Sequence, residues 1–169
     1  MADSSLRDAF IEELRDTYDA EHQILKALPK LVKKAANKQL RAAFAGHLDE
    51  TKGQVKRLDD VFKILDKKPK ARHCDGMAGI LKEGKSVMAE DFDPKTMDAC
   101  LIAAAQRVEH YEIAAYGTLI AWAKLLGEAK VVRLLEETLK QENSADKLLT
   151  GLAEDGINQQ SLEAAAAIA

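Results

Sequence analysis

Five glutamates, Glu21, Glu50, Glu109, Glu112 and Glu142, stand where helical spacing calls for hydrocarbon. Steps of three and four residues keep to one helix face. Followed in this way, one series reads Leu14, Tyr18, Glu21, Leu25, Leu28 and a second reads Phe44, His47, Glu50 or Thr51, Gln54, Leu58. The third reads Ile102, Ala105, Glu109, Glu112, Tyr116, Leu119, and the fourth Leu135, Thr138, Glu142, Ala145 or Asp146, Leu149. Carboxylates gathered on such faces repel one another, and each costs several kcal/mol to desolvate. No Lys or Arg falls in these series at that level, so either most of the acids are protonated or metal ions lie among them. Carboxylate oxygen with imidazole suits Fe(II) and Mn(II), and this number of ligands suits a pair of ions. Zinc is less favoured, because closed zinc sites use Cys or His more heavily. The expected cofactor is therefore two metal ions, iron first, with manganese or zinc as alternatives. The competing reading shifts the helical phase and leaves some of these acids facing water, as most glutamates do.

The elements that must position the acids are four long helices. Apolar spacing predicts the first over 5–36, with Ser4 or Ser5 as cap and Pro29 bending it or marking its last turns. After a turn at Asn37 a second helix spans 38–66, carried by Leu40, Phe44, Leu48, Val55, Leu58, Phe62 and Leu65. Two of the three prolines and a group of glycines mark 67–93 as a crossover, with a short helix expected from Asp75 to Glu90. Asp93-Pro94 is a favourable helix start, an acid at the cap and Pro at the first position, for a third helix over 94–126. Gly127 ends it, a fourth helix spans 128–153, and the tail 155–169 forms a frayed turn or a small packing element. Two tight hairpins joined by one long crossover make an all-α, ferritin-like four-helix bundle in one domain, 1–169. The heights agree with this. Glu21 lies about sixteen residues before Asn37 and Glu50 about thirteen after it, a mismatch of only about 5 Å; Glu112 and Glu142 each lie about fifteen residues from Gly127.

Composition narrows the function. A chain of 169 residues with 47% hydrophobic and 31% charged content can bury a real core, and its Ala, Leu, Glu and Lys favour helix. A net charge of −3 with both signs interspersed gives no basic stripe for phosphates, so nucleic acid is not an expected partner. No signal-like start and no long uninterrupted apolar run occur, which predicts a cytoplasmic protein without a membrane anchor. Cys74 and Cys100, far apart and in no CxxC arrangement, read as structural thiols. The basic run Lys67, Lys68, Lys70, Arg72 reads as a solvated charge cluster.

The segments ELRDTYDAEHQILKALPKL, AFAGHLDETKGQVKRL, AAAQRVEHYEIAAYGTL and LLEETLKQENSADKLL, the third above all, resemble the YciF/YciE family of bacterial ferritin-like stress proteins. The resemblance implies a four-helix dinuclear fold, expression under stress and homodimers, and leaves the biochemical activity open. Ferritin-like proteins at large use single Glu ligands on two helices and a Glu-x-x-His pair on the other two. This chain departs from that plan with His47-x-x-Glu50 in reverse order, Glu109-x-x-Glu112 similar to rubrerythrin-type sites, and Asp146 where His is more usual.

The candidate metal ligands are Glu21, Glu50, Glu109, Glu112 and Glu142. His47, Gln54 and Asp146 are either ligands or residues that orient the ligands, and His110, offset by one from Glu109, belongs with the orienting groups. Tyr18 and Tyr116 sit on the faces of Glu21 and Glu112, placed to pack, to hydrogen-bond a ligand or to relay an electron. Trp122 reads as core, and His22 and His73 as exposed. Two functions follow. One is Fe(II) oxidation or reduction of O2 or peroxide at a carboxylate centre, with the catalytic residues unspecified. The other is a non-catalytic, stress-induced interaction or structural protein stiffened by metal.

Overall fold

The computed structural model describes residues 5–166, and all regular structure among them is helical. Helix α1, Leu6–Lys34, opens on a capping box. Ser5 Oγ accepts from the Asp8 amide at 3.2 Å and Asp8 Oδ2 accepts from the Ser5 amide at 2.9 Å. Pro29 is exposed and stays inside the helix. Helix α2, Lys38–Ile64, is capped by Asn37, whose Oδ1 accepts from the amides of Gln39 and Leu40. Between them the chain turns on a group that periodicity does not reveal. Buried Asp98, from the bundle's other half, accepts the amides of Ala36 and Asn37 at 2.8 Å each. Two donors that a sharp turn would leave unpaired are thereby satisfied by one carboxylate.

The crossover runs back along α1, where Arg72 N–H donates to the carbonyl of Arg15 at 3.1 Å and Cys74 N–H to Asp19 Oδ2 at 2.9 Å. It then forms α3, Asp75–Ala89, capped by the Cys74 sulfur and packed on α1 and α4. Cys74 is thus buried structure, with its thiol pushed up by burial. Helix α4, Pro94–Leu125, starts at the Asp93 cap. The turn into α5, Ala129–Leu152, uses Gly127 at φ 75°, a left-handed conformation that a side chain would strain. After α5 a wide π turn, Ala153–Ile157, kinks at Gly156 and leads to α6, Asn158–Ala166, which packs on α4 with Ile157 buried. The described part of the tail, 155–166, is therefore a packing element, and 167–169 lie outside the described residues.

Helices α1 with α2 and α4 with α5 form the two hairpins, while α2 faces α5 and α1 faces α4, giving a four-helix bundle with α3 laid outside it. The core divides lengthwise. Around the α1–α2 turn, Leu28, Leu31, Leu40, Phe44, Leu101 and Leu149 form one hydrocarbon cluster. At the opposite end Phe10, Leu14, Leu58, Phe62, Leu119 and Leu135 form another, with Trp122 packed half-buried against it. No helix among the described residues is long and apolar enough to cross a membrane.

Candidate metal centre

Between the two hydrocarbon clusters lies a polar slice fed by all four bundle helices. Helix α1 supplies Glu21; α2 supplies His47, Thr51 and Gln54; α4 supplies Glu109 and Glu112; α5 supplies Thr138 and Glu142. All are buried, and Glu21, Gln54 and Glu142 have no exposed surface. One ligating atom from each of His47, Glu109, Glu112 and Glu142 lies within 4.8 Å of the others. His47 Nε2 is 3.3 Å from Glu109 Oε1 and 3.7 Å from Glu142 Oε2. Glu21 closes the α1 side, where Tyr116 Oη donates to its Oε1.

Glu50 differs from the other four acids. It lies one turn beyond His47, with its side chain 43% exposed, and its Oε2 is 3.5 Å from His47 Nδ1. It stands at the rim. The groups that the spacing left between ligand and orienting role sort by their partners. Gln54 Nε2 donates to Glu142 Oε1 and, at 3.2 Å, to Gln141 Oε1, so it holds a carboxylate in place. Asp146 accepts from Gln106 Nε2 at 3.0 Å and lies 3.2 Å from the exposed His110 ring, and it is close enough for its charge to add to the rise at Glu109. Tyr18 donates to Asp59 at 2.8 Å and packs edge-on against Phe62, away from Glu21. His73 is exposed, whereas His22 is half-buried, with Nδ1 2.7 Å from the Tyr18 carbonyl and its ring against the Tyr18 ring.

Electrostatics records the cost of this slice. Burial, with Glu142 nearby, pushes the Glu21 carboxyl up to about 8. Glu109 is pushed to about 11 by burial and by its contact with Glu142, and Glu112 well above the usual carboxyl range by burial and the charges of Glu142 and Glu21. Burial also raises Tyr116, so its phenol stays a donor. Periodicity passes over a cation near this slice, Arg57, because it lies on the flank of α2. Arg57 donates to Thr138 Oγ1 at 2.7 Å and Gln141 Oε1 at 3.2 Å, and its charge partly offsets the rise at Glu21. Arg57 belongs to none of the four apolar series; its guanidinium bonds neutral side chains and Glu137, and no hydrogen bond from it reaches the central carboxylates.

The fit to metal rests on what the acids lack. Glu21 Oε2, His47 Nε2, Glu109 Oε2, both Glu112 oxygens and Glu142 Oε2 are buried with no hydrogen-bond donor or acceptor to satisfy them. Their close contacts are with one another, which demands either shared protons or cations. An unpaired buried polar atom costs on the order of 1–3 kcal/mol, so six together form a set that a divalent ion would satisfy. Carboxylate oxygens with one imidazole are the donor set of Fe(II) or Mn(II).

The sequence profile of the family described as a domain of unknown function, DUF892, matches residues 5–162. Protein YciF of Escherichia coli K12 is 44% identical over 157 residues, covering 92% of this chain and 95% of its own length. The chain belongs to the YciF family. The crystal structure of the E. coli stress protein YciF superposes with a TM-score of 0.88 over 91% of this chain and 98% of that one. YcfI from Rhodopseudomonas palustris, described as a candidate structural protein, is 45% identical, with a TM-score of 0.85 over 86% of this chain and 93% of its own. The YciF-family fold therefore extends over nearly the whole chain, crossover helix included.

Proposed function

We propose that this YciF-family chain is a cytoplasmic stress-response protein, assembled as a homodimer, that holds two iron ions in its polar slice and oxidises Fe(II) with O2 or peroxide. The single observation that carries the reading is the set of six buried, unsatisfied ligating atoms. Glu21, Glu109, Glu112, Glu142 and His47 would hold the ions, and Glu50 would join them from the rim. When bound, the iron pair supplies two electrons to an oxidant.

The remaining roles belong to this chain. Tyr116 fixes Glu21 from α4, and Gln54 fixes Glu142 from α2, so carboxylates on facing helices are held before any ion arrives. Thr51 Oγ1 donates to the His47 carbonyl at 2.8 Å and caps no ligand, which leaves the imidazole free to point its Nε2 inward. The hydrocarbon clusters above and below keep bulk water from the two ends of the slice. Carboxyls held neutral by burial release their protons as cations enter, so metal loading strengthens as pH rises. Glu50, in contact with both solvent and His47, is the group placed to pass those protons outward.

Anaerobic Fe(II) loading tests the reading. About two irons per chain are expected, with peroxide consumption above a protein-free iron control, and both fall together in a Glu109→Gln, Glu112→Gln variant. Unchanged iron content in that variant would sink the proposal. A second reading, a non-catalytic structural protein stiffened by metal, is favoured by one feature: no second His enters the slice, since His110 is exposed. It predicts that chelation lowers the melting temperature while peroxide consumption stays at the protein-free rate.

A further inference from the structure

The seam between α2 and α5 is built differently on the two sides of the centre. Towards Phe62 it is closed by polar bonds, Gln54 and Arg57 reaching Thr138, Glu137 and Gln141. Towards the α1–α2 turn the facing residues are small: Ala43 and Gly46 on α2 meet Ser144 and Ala145 on α5. A Cβ placed at Gly46 would touch nothing within 4 Å. The helices thus fail to fill the space between them, and a cavity of about 550 Å³ opens there, within the range of small-molecule sites. Its walls are hydrocarbon, from Ile24, Leu28, Phe44, Val108 and Leu149, and its mouth is flanked by Leu148, which is 52% exposed. It spans α2 from Gln39 to Glu50, about 16 Å at the helical rise. The buried polar groups that line it are His47 and Glu109, on the side of the metal centre that faces this seam, with half-exposed Glu50 at the rim beside them.

We propose that this cavity binds the aliphatic chain of an organic hydroperoxide, with the hydroperoxyl group at His47 and Glu109. The inference rests on the reading of the centre given above and names the oxidant class it takes. Three features select this occupant. Hydrogen peroxide needs no apolar slot. An anionic head group meets the buried Glu109 carboxyl and passes Glu50 at the rim, whereas a neutral –OOH both donates and accepts there, and His47 Nε2 and Glu109 Oε2 have no hydrogen-bond partner. A helix of a second copy would cover the mouth without reaching atoms as deeply buried as these. Reduction breaks the O–O bond and consumes two protons, giving the alcohol and water; the two electrons come from two Fe(II), each becoming Fe(III).

The first test needs no metal. 1-Octanol, a redox-inert stand-in, is titrated into the metal-free protein beside octanoate, with methyl carbon NMR as readout. Saturable shifts confined to Leu28, Val108 and Leu149 are expected, with octanoate binding at least about tenfold more weakly. Ala43→Phe and Ala145→Phe, which fill the slot from opposite walls, should each abolish the shifts while iron loading is kept. With iron-loaded protein, kcat/KM for octyl hydroperoxide should fall about tenfold in either variant, and that for hydrogen peroxide should hold. Absence of saturable binding, shifts that survive both variants, or a concentration-dependent dimer that buries Leu148 in place of octanol binding would each overturn the proposal. Wild-type protein that binds octanol but loads no iron would overturn the reading of the centre and with it the hydroperoxide, leaving an apolar-chain site.

Discussion

The end cluster around Phe10, Phe62 and Leu119 and the polar slice around Glu112 occupy the same bundle interior, and they are equally buried. In the cluster every side chain gains by leaving water, at roughly 1.5–3 kcal/mol for a large apolar group. In the slice burial works against the residues present, raising three carboxyls and leaving six ligating atoms without partners. A core that needed only stability would continue the hydrocarbon across the middle. The difference teaches that the two apolar ends hold the helices in place while the middle carries a cost that the proposed ions would offset.

The contrast can be tested most strongly in the cluster. Phe10→Ala should destabilise the protein by about 3–5 kcal/mol in denaturant unfolding, metal-free or loaded, because it removes a fully buried ring. Glu112→Met should move the other way in the metal-free protein, stabilising it by about 1–3 kcal/mol by removing an unsatisfied buried carboxyl, while iron binding is lost. A destabilised metal-free Glu112→Met would make the slice ordinary structure and break the comparison.

The pH dependence sharpens it. Glu21 has a folded value raised from 4.5 to about 8, and Glu109 is raised further, so their contribution is intact below about 4.5. Above that pH the unfolded chain has lost protons that the folded chain still holds. The melting temperature of the metal-free protein should therefore fall by several degrees between about pH 5 and pH 8. Loaded protein should show no such fall, since ions replace the protons. A flat metal-free profile would contradict the raised values. The smallest effect is expected at Tyr116→Phe, which removes only the donor to Glu21: about 0.5–1.5 kcal/mol of stability, with iron stoichiometry kept and affinity weakened.

Much of the slice was legible in periodicity. Glu21, Glu109, Glu112 and Glu142 break apolar series, Glu112 and Glu142 at matching heights, and those residues are buried together. Glu50 was legible only in part, because Glu50 and Thr51 are alternative continuations of one series. The backbone turns Thr51 fully inward and leaves Glu50 at the rim. Asp98 and Arg57 escaped for a different reason: each acts on partners from other helices, and no local pattern marks such an interaction.

The sequence by itself determined the four-helix class, the crossover and the level at which acids enter the core, because capping, Pro and Gly placement and the 3.6-residue period are local properties. Tertiary structure alone decided which oxygens find a donor, that Asp146 lies against Gln106 and His110, and that small residues of α2 and α5 line one cavity. Those outcomes depend on the rotation of each helix against its neighbour, and a shift of one residue turns a side chain by about 100°.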